Sequence, residues 1–318
     1  MLRMKKLKKL AGLLPALLLA IALAGCGSQS EERDLTGKTV AKIGYLPITH
    51  ALAVFEETEM LEKADSEVQI ELVKFSSWTD LTDALSAGRI DGASVLVELA
   101  MNIFNNGVDI KTIGLGHKDG NVVVVSDEIE TVEDLKGKTF AIPSAQSSHN
   151  ILLQDMLAEA GMSLTDISLV QLSPTEMPSS LVSGAIDGYC VAEPYGAQVI
   201  AKGLGHVLYS SEELWEDSTC CAFVLSGSWM TEHAEAAELL IENYFTAGNA
   251  LDEETAMNIA ETYLGQEQET LEQSLAWISF KNLALSEEDY QVLCDKLLEY
   301  GINENPPSYD AFVYQGTY

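Results

Sequence analysis

Two histidines, a tryptophan and a glutamate have the chemistry to contact a small molecule. His50 and His149 each follow a predicted strand and open an apolar helical segment, Trp78 follows a predicted helix N-cap, and Glu193 precedes a proline. Imidazole, indole and carboxyl groups can hold a polar ligand by hydrogen bonds and by aromatic contact. Neither histidine has a carboxylate nearby in sequence to orient it for acid–base catalysis. These residues therefore predict binding and no catalytic residue, although a purely structural role for each stays open.

Motifs for enzymes and metals are absent from the sequence. It contains no Gly-x-Ser-x-Gly elbow, no phosphate-binding Gly-x-x-x-x-Gly-Lys loop and no His-Glu-x-x-His pair. No Cys and His spacing matches a zinc site, so we expect no metal and no cofactor. Cys190, Cys220, Cys221 and Cys294 are expected to be buried free thiols, because a core of this size needs no disulfide.

The charge balance excludes nucleic acid as a partner. The 318 residues include 18 Lys and Arg against 49 Asp and Glu, for a formal net charge of −31. Binding to nucleic acid requires clustered cations that displace counterions from phosphates. The hydrophobic content of 47% also excludes a disordered chain.

The first 25 residues have the pattern of a secretory signal. Five cations within Met1–Lys9 precede an apolar run over Leu10–Ala24 that is too short to span a bilayer. Leu23-Ala24-Gly25-Cys26 resembles a bacterial lipobox, which implies that Cys26 is a lipid anchor. Residues 26–37 would then be a flexible polar tether. We expect a protein outside the cytoplasm, attached to the cell membrane through its lipid only.

The sequence repeats itself once. Residues 85–95 and 181–191 share Leu, Gly, Ile, Asp, Gly and Val at an offset of 96. Residues 35–41 resemble 135–141 at an offset of 100, and His50 and His149 are 99 apart. Three landmarks in one order indicate a duplicated structural unit.

Each copy predicts strands that alternate with helices. The predicted strands are 39–45, 68–75, 90–95, 139–142, 167–172 and 186–191. The predicted helices are 49–63 with Thr49 as its N-cap, 77–88, 147–160 and 174–183, followed by C-terminal helices at 232–248, 253–264, 269–283 and 287–300. This alternation predicts an α/β protein of two lobes, each a mainly parallel sheet flanked by helices. We expect residues 38–118 and 209–318 in the first lobe, and 119–208 in the second.

The candidate ligand contacts lie where strands lead into helices. Ligands of open parallel sheets bind beyond the carboxyl ends of the strands, and helix N-termini attract anions or carbonyl oxygens. Loops of this kind also contain Glu98. The predicted ligand-binding residues are Ile48, Thr49, His50, Ser77, Trp78, Ser94, Gln146, Ser147, Ser148, His149, Cys190, Glu193 and Tyr195.

Five motifs together carry a family resemblance. They are the lipobox, Gly-Tyr-Leu-Pro-Ile-Thr-His-Ala (44–51), Ser-Trp-Thr-Asp-Leu-x-Asp-Ala-Leu (77–85), Ser-Ser-His-Asn-Ile-Leu-Leu (147–153) and Tyr-Cys-Val-Ala-Glu-Pro-Tyr (189–195). The chain resembles substrate-binding lipoproteins of ABC importers, in the nitrate/sulfonate/taurine/bicarbonate class with the type II periplasmic-binding fold. It looks closest to the nitrate and bicarbonate binders. The resemblance implies that Trp78 and His149 lie in the pocket with Gln146 beside them, and that 192–195 closes one end.

One departure from the family pattern concerns ligand charge. Nitrate-type members present a lysine shortly after the segment that matches Leu214-Trp215, and residues 216–221 contain none. The ligand is then a weaker anion, or a small neutral or heterocyclic molecule held against Trp78.

The resemblance implies a monomeric binding protein that closes its lobes on one small molecule and delivers it to the transmembrane subunits of an ABC permease. Three alternatives share the scaffold. One is the same binding protein with a thiamine-precursor-like heterocycle as ligand, and another is an enzyme similar to the thiamine-pyrimidine synthases. The third is a sensor that reports its ligand to a membrane kinase.

Overall fold

The computed structural model describes residues 37–316. The predicted signal sequence, the Cys26 anchor and all of the tether except Gly37 lie outside this range. The strands are β1 (Thr39–Tyr45), β2 (Val68–Lys74), β3 (Gly92–Leu96), β4 (Ile110–Leu115), β5 (Lys118–Asp119), β6 (Asn121–Val125), β7 (Thr139–Ile142), β8 (Ser168–Gln171), β9 (Gly188–Ala192), β10 (His206–Ser210), β11 (Cys221–Ser226) and β12 (Ile278–Ser279).

Thirteen α-helices accompany these strands within the described range. They are α1 (Leu52–Lys63), α2 (Trp78–Ser86), α3 (Val97–Asn105), α4 (Ser148–Glu159), α5 (Met177–Val182), α6 (Ala197–Ile200), α7 (Ser211–Leu214), α8 (Gly227–Glu232), α9 (Ala234–Ala250), α10 (Glu253–Leu264), α11 (Gln268–Leu275), α12 (Glu287–Glu299) and α13 (Tyr309–Phe312). None of the helices between residues 37 and 316 combines the length and the apolar character needed to cross a membrane.

Two five-stranded sheets form the two lobes. The first has the strand order β2-β1-β3-β11-β4, and the second has the matching order β8-β7-β9-β6-β10. In each sheet one strand runs against the other four, namely β11 in the first and β6 in the second. The predicted α/β fold of two mainly parallel sheets is confirmed.

The repeated motif forms the same turn from helix to strand in both lobes. Asp91 accepts a hydrogen bond from the backbone N–H of Lys42, and Asp187 accepts one from that of Thr139, both at 2.8 Å. The glycine four residues before the third strand of each sheet has a positive φ, 63° at Gly88 and 72° at Gly184. A side chain disfavours that conformation, so glycine recurs where each helix turns into its strand.

The two reversed strands tie the lobes together. After β4 the chain enters the second sheet through β6, and after β10 it returns to the first sheet through β11. The second sheet thus extends to Ser210, two residues past the predicted boundary at 208. Of the C-terminal helices, α9 packs on α1 and α13 on β4 of the first lobe, whereas α11 contacts α6 of the second.

Two local predictions are wrong. Thr49 is not the N-cap of α1, because it opens a 3₁₀ turn (Thr49–Ala51) and its hydroxyl donates to the carbonyl of Glu193 in the other lobe. The helix predicted over 269–283 ends at Leu275, because Ile278 and Ser279 pair with β5. In both cases a distant segment supplies a hydrogen-bond partner that the local pattern does not contain.

Candidate ligand-binding site

Six buried polar side chains from both lobes and their connection form what we call the interlobe cluster: His50, Trp78, Glu98, His117, Ser148 and His149. Their side-chain nitrogen and oxygen atoms are buried and lack hydrogen-bond partners among the described residues. Buried polar groups in folded proteins are almost always hydrogen-bonded, because desolvation without a partner costs about 1–3 kcal/mol each. Six such side chains in one place indicate a site that a polar ligand completes.

The helix start of α2 positions the aromatic part of the cluster. Ser77 caps α2, where its hydroxyl accepts the backbone N–H of Asp80, and Trp78 is the first residue of the helix. The rings of Trp78 and His50 meet edge to face with centroids 5.5 Å apart. The indole N–H therefore stays available as a donor beside an aromatic wall.

Three imidazoles share the site and oppose one another's protonation. Burial lowers the pKa of His117 to about 4, and burial together with the nearby His117 lowers that of His149 to about 3. Burial and the nearby His117 also hold the pKa of His50 well below 6.5. At neutral pH each ring is uncharged and offers one N–H donor and one nitrogen acceptor.

Glu98 is the carboxyl of the cluster. It lies in the first turn of α3, directly after β3, and is 1% exposed. Burial raises the pKa of this carboxyl well above its ordinary value, and the neighbouring Cys220 raises it further, while the backbone N–H of Ser148 in the second lobe acts in the opposite direction. Burial thus favours the uncharged, protonated carboxyl.

Two thiols and an amide border the cluster. The sulfur atoms of Cys220 and Cys221 are 3.6 Å apart, and the Cys220 thiol donates to the side-chain oxygen of Asn121 at 3.6 Å. The Cys221 thiol, with Ser148 and Asn121, lowers the pKa of Cys220, whereas burial and Cys220 raise that of Cys221. All four cysteines of the described range are free and buried.

The lobes also meet at a backbone contact beside the cluster. The N–H and the hydroxyl of Thr49 both donate to the carbonyl oxygen of Glu193, at 2.9 and 3.1 Å. The Glu193 carboxyl points elsewhere, since both of its oxygens accept the backbone N–H of Ala197, at 3.2 and 3.1 Å. Burial raises the pKa of Glu193 to about 8, against the effect of these hydrogen bonds.

The structure brings only some of the predicted ligand contacts together. His50, Trp78, Ser148 and His149 belong to the interlobe cluster. The Ser94 hydroxyl on β3 is buried and unpartnered as well. Ser77 uses its hydroxyl to cap α2, Ser147 donates to the carbonyl of Ser144, and Gln146 is exposed.

The remaining predicted contacts have partners within the protein. Cys190 packs in the core of the second lobe, whereas Ile48 and Tyr195 are buried in the larger core. Thr49 and Glu193 form the backbone contact between the lobes. Their assignment as ligand contacts stays a prediction.

Sequence reasoning missed His117 and Asn121. His117 lies in the connection between β4 and β6, and Asn121 is the first residue of β6, so neither stands at a helix start or in a repeat motif. Only the crossing of the chain between the lobes brings them to the cluster. The available signal was the position of His117 next to Gly116, whose lack of a side chain lets the backbone approach the His50 carbonyl.

No group of three or more His, Cys, Asp and Glu between residues 37 and 316 is arranged to hold a metal ion.

Comparison with known proteins assigns the family. The family model described as NMT1-like matches residues 35–264, most of the chain. The chain belongs to the NMT1-like family.

A solved structure shares the fold and most of the length of the chain. The ligand-binding component of an ABC-type import system from Staphylococcus aureus, solved with zinc bound, is 35% identical, with a TM-score of 0.83 over 86% of this chain and 96% of that one. This structural agreement confirms the predicted fold of a periplasmic-binding protein.

Two of the curated relatives are named as binding proteins, one for nitrate and nitrite and one for aliphatic sulfonates. A nitrate/nitrite binding protein, NrtA of Nostoc, is 25% identical over 64% of this chain and 52% of its own length. A putative aliphatic sulfonates-binding protein of Escherichia coli is 29% identical over 54% of this chain and 55% of its own length. The chain thus spans about half the length of these curated relatives. The resemblance to the nitrate/sulfonate class of binding proteins is confirmed.

Proposed function

We propose that the protein is the substrate-binding component of an ABC importer and closes its two lobes on one small molecule. The observation that carries this proposal is the interlobe cluster, in which both lobes contribute buried polar atoms that have no hydrogen-bond partner among the described residues. A ligand that satisfies atoms of both lobes binds the closed form in preference to the open one and shifts the equilibrium toward closure.

The family supports the transport role. The Staphylococcus aureus relative is a ligand-binding component of an import system, and it matches the described fold along nearly its whole length. The interlobe cluster offers buried hydrogen-bonding groups from both lobes, which suits the binding and release of a small molecule. We propose no catalytic residue.

The cellular setting follows from the N-terminal pattern and belongs to the same proposal. Signal cleavage before Cys26 and lipidation of its thiol would hold the protein at the outer face of the cell membrane. A monomer attached in this way stays near the permease that receives its ligand. Incorporation of a labelled fatty acid into the wild type, and its loss in Cys26→Ala, tests the anchor.

Small-angle scattering tests closure directly. We expect the radius of gyration to fall when a cognate ligand is added, and Trp78→Ala to remove most of the affinity, at least tenfold. Trp229→Phe is the matched control, because Trp229 is also buried but donates its indole N–H to the carbonyl of Val40. A Trp78→Ala protein that binds normally would place the ligand elsewhere.

A further inference from the structure

The interlobe cluster contains acids and imidazoles but no strong base. None of the lysines and arginines between residues 37 and 316 is buried. The partly buried Lys118, next to His117 in sequence, is 3.7 Å from the Asp217 carboxylate. A second unpartnered buried carboxyl, Glu57, lies in the first lobe near Tyr244. An anion bound at the interlobe cluster would therefore meet no buried lysine or arginine.

Transfer of an unpaired anion from water into a closed crevice is costly, and a paired cation of the protein normally offsets the cost. Here the only groups able to become positive are His50, His117 and His149. Burial and their proximity oppose this change. The site therefore differs from one built to bind nitrate or a sulfonate.

Glu98 provides the opposite kind of partner. Both of its oxygens are buried and unpartnered, although the backbone N–H of Ser148 lies close by. A carboxylate accepts hydrogen bonds and attracts a cation most strongly where water is excluded. The uncharged imidazoles add nitrogen acceptors, and the rings of Trp78 and His50 add aromatic surface that suits a flat or cationic group.

We propose that the interlobe cluster binds a small organic cation: an amine, an amidine or an amino-heterocycle whose N–H groups donate to the Glu98 carboxylate. This inference rests on the proposed function and names its ligand class. An organic cation fits better than a metal ion, because the described residues hold no group arranged for metal coordination and because the site has an aromatic wall.

Binding of such a cation has a proton balance that can be measured. The protonated Glu98 carboxyl loses its proton to solvent, and the carboxylate that remains pairs with the ligand cation. One proton is released for each cation bound, and the charge of the crevice is unchanged. An anion that protonated an imidazole would instead take up a proton, and a neutral ligand would exchange none.

Calorimetry of the full chain in two buffers of different ionisation enthalpy separates these cases. The probes are the guanidinium, 4-aminopyridinium and benzamidinium cations, the nitrate, bicarbonate and methanesulfonate anions, and Zn²⁺ added to chelator-treated protein. We expect at least one organic cation to bind with release of about one proton. Glu98→Gln should weaken that binding at least tenfold and abolish the release.

Glu57→Gln is the matched control, because the Glu57 carboxyl is also buried and unpartnered among the described residues but lies near Tyr244, outside the interlobe cluster, so this variant should keep both binding and proton release. Four results would each overturn the ligand class: binding of anions with proton uptake, stabilisation by Zn²⁺ alone, cation binding that survives Glu98→Gln, or no binding of any cation in the panel.

Scattering with the same probes separates the ligand class from the proposed binding function. Closure with an anion or Zn²⁺ contradicts the cation but retains the binding function, whereas no closure with any probe contradicts the binding function as well.

Discussion

Two buried glutamates occupy nearly equivalent places in the two lobes and have opposite surroundings. Glu98 follows β3 and Glu193 follows β9, the third strand of each sheet. The Glu193 carboxyl accepts the N–H of Ala197 with both oxygens, whereas neither oxygen of Glu98 has a partner among the described residues. The duplicated fold thus uses one glutamate to hold its own loop and leaves the other available to a ligand.

The two lobes also use these segments differently. The loop held by Glu193 presents its carbonyl to Thr49 and so joins the lobes through the backbone. Glu98, in the first turn of α3, instead holds its carboxyl close to the backbone of Ser148 in the other lobe. Burial raises the pKa of both carboxyls, so a raised pKa alone does not distinguish the structural group from the candidate ligand contact.

The largest effect that we expect is a difference in the free energy of unfolding between variants of these two glutamates. Glu193→Leu should lower the free energy of unfolding by about 2–4 kcal/mol, because it leaves the buried N–H of Ala197 without a partner. Glu98→Leu should leave it within about 1 kcal/mol or raise it, because it removes a carboxyl that is buried without a hydrogen bond. Urea unfolding of the ligand-free proteins measures both, and equal losses would contradict the comparison.

The second prediction concerns opposite pH dependences. The pKa of Glu193 is raised to about 8 from 4.5, so the folded state holds a proton that the unfolded state releases between these values. The Glu193 contribution to stability therefore falls as pH rises from about 4.5 to 8. The pKa of His149 is lowered to about 3 from 6.5, so its contribution is lost as pH falls below 6.5.

Two variants isolate the contributions of Glu193 and His149 to the pH dependence of stability. The stability of the wild type relative to Glu193→Gln should decrease with pH by up to about 1.4 kcal/mol per pH unit. Relative to His149→Asn it should increase with pH between about 4 and 6.5, with the same limit on the slope. Urea unfolding at a series of pH values measures both slopes, and two slopes of the same sign would show that one of these burial assignments is wrong.

The smallest effect is expected at a peripheral contact between the lobes. Asp155 on α4 of the second lobe accepts hydrogen bonds from Lys296, at 2.8 Å, and from Tyr300, and both donors lie on or beside α12, which packs on the first lobe. Lys296 also lies 5.3 Å from the ring centroid of Trp215. Asp155→Asn should change the free energy of unfolding by less than about 1 kcal/mol and weaken ligand binding a few-fold, because a partly exposed ion pair contributes little.

The control for that contact is a pair that does not join the lobes. Glu59→Gln removes the partner of Lys63 within α1 and should leave ligand affinity unchanged. Affinity and the radius of gyration of the ligand-free protein, measured for both variants, test the difference. An affinity loss of the same size in both variants would rule out a specific role for Asp155 in closure.

Much of the fold could be predicted because the relevant signals are local. The helix α10 has the predicted bounds, and β1 and β7 are also predicted residue for residue. Their apolar periodicity and capping residues act within a few positions of the chain. The strands β4, β6, β10 and β11 were not predicted, because they depend on neighbours that are remote in sequence.

The site divides in the same way. Local patterns were enough to indicate the duplicated unit, the turns from strand to helix near His50, Trp78 and His149, and the absence of a lysine after Trp215. The folded chain was needed to show that His117 joins these residues, that Glu193 is used by its own loop and that Glu98 is not. Spacing along the chain fixes which residues stand at the ends of strands, whereas a side chain is left for a ligand only if no other part of the folded chain supplies its hydrogen-bond partner.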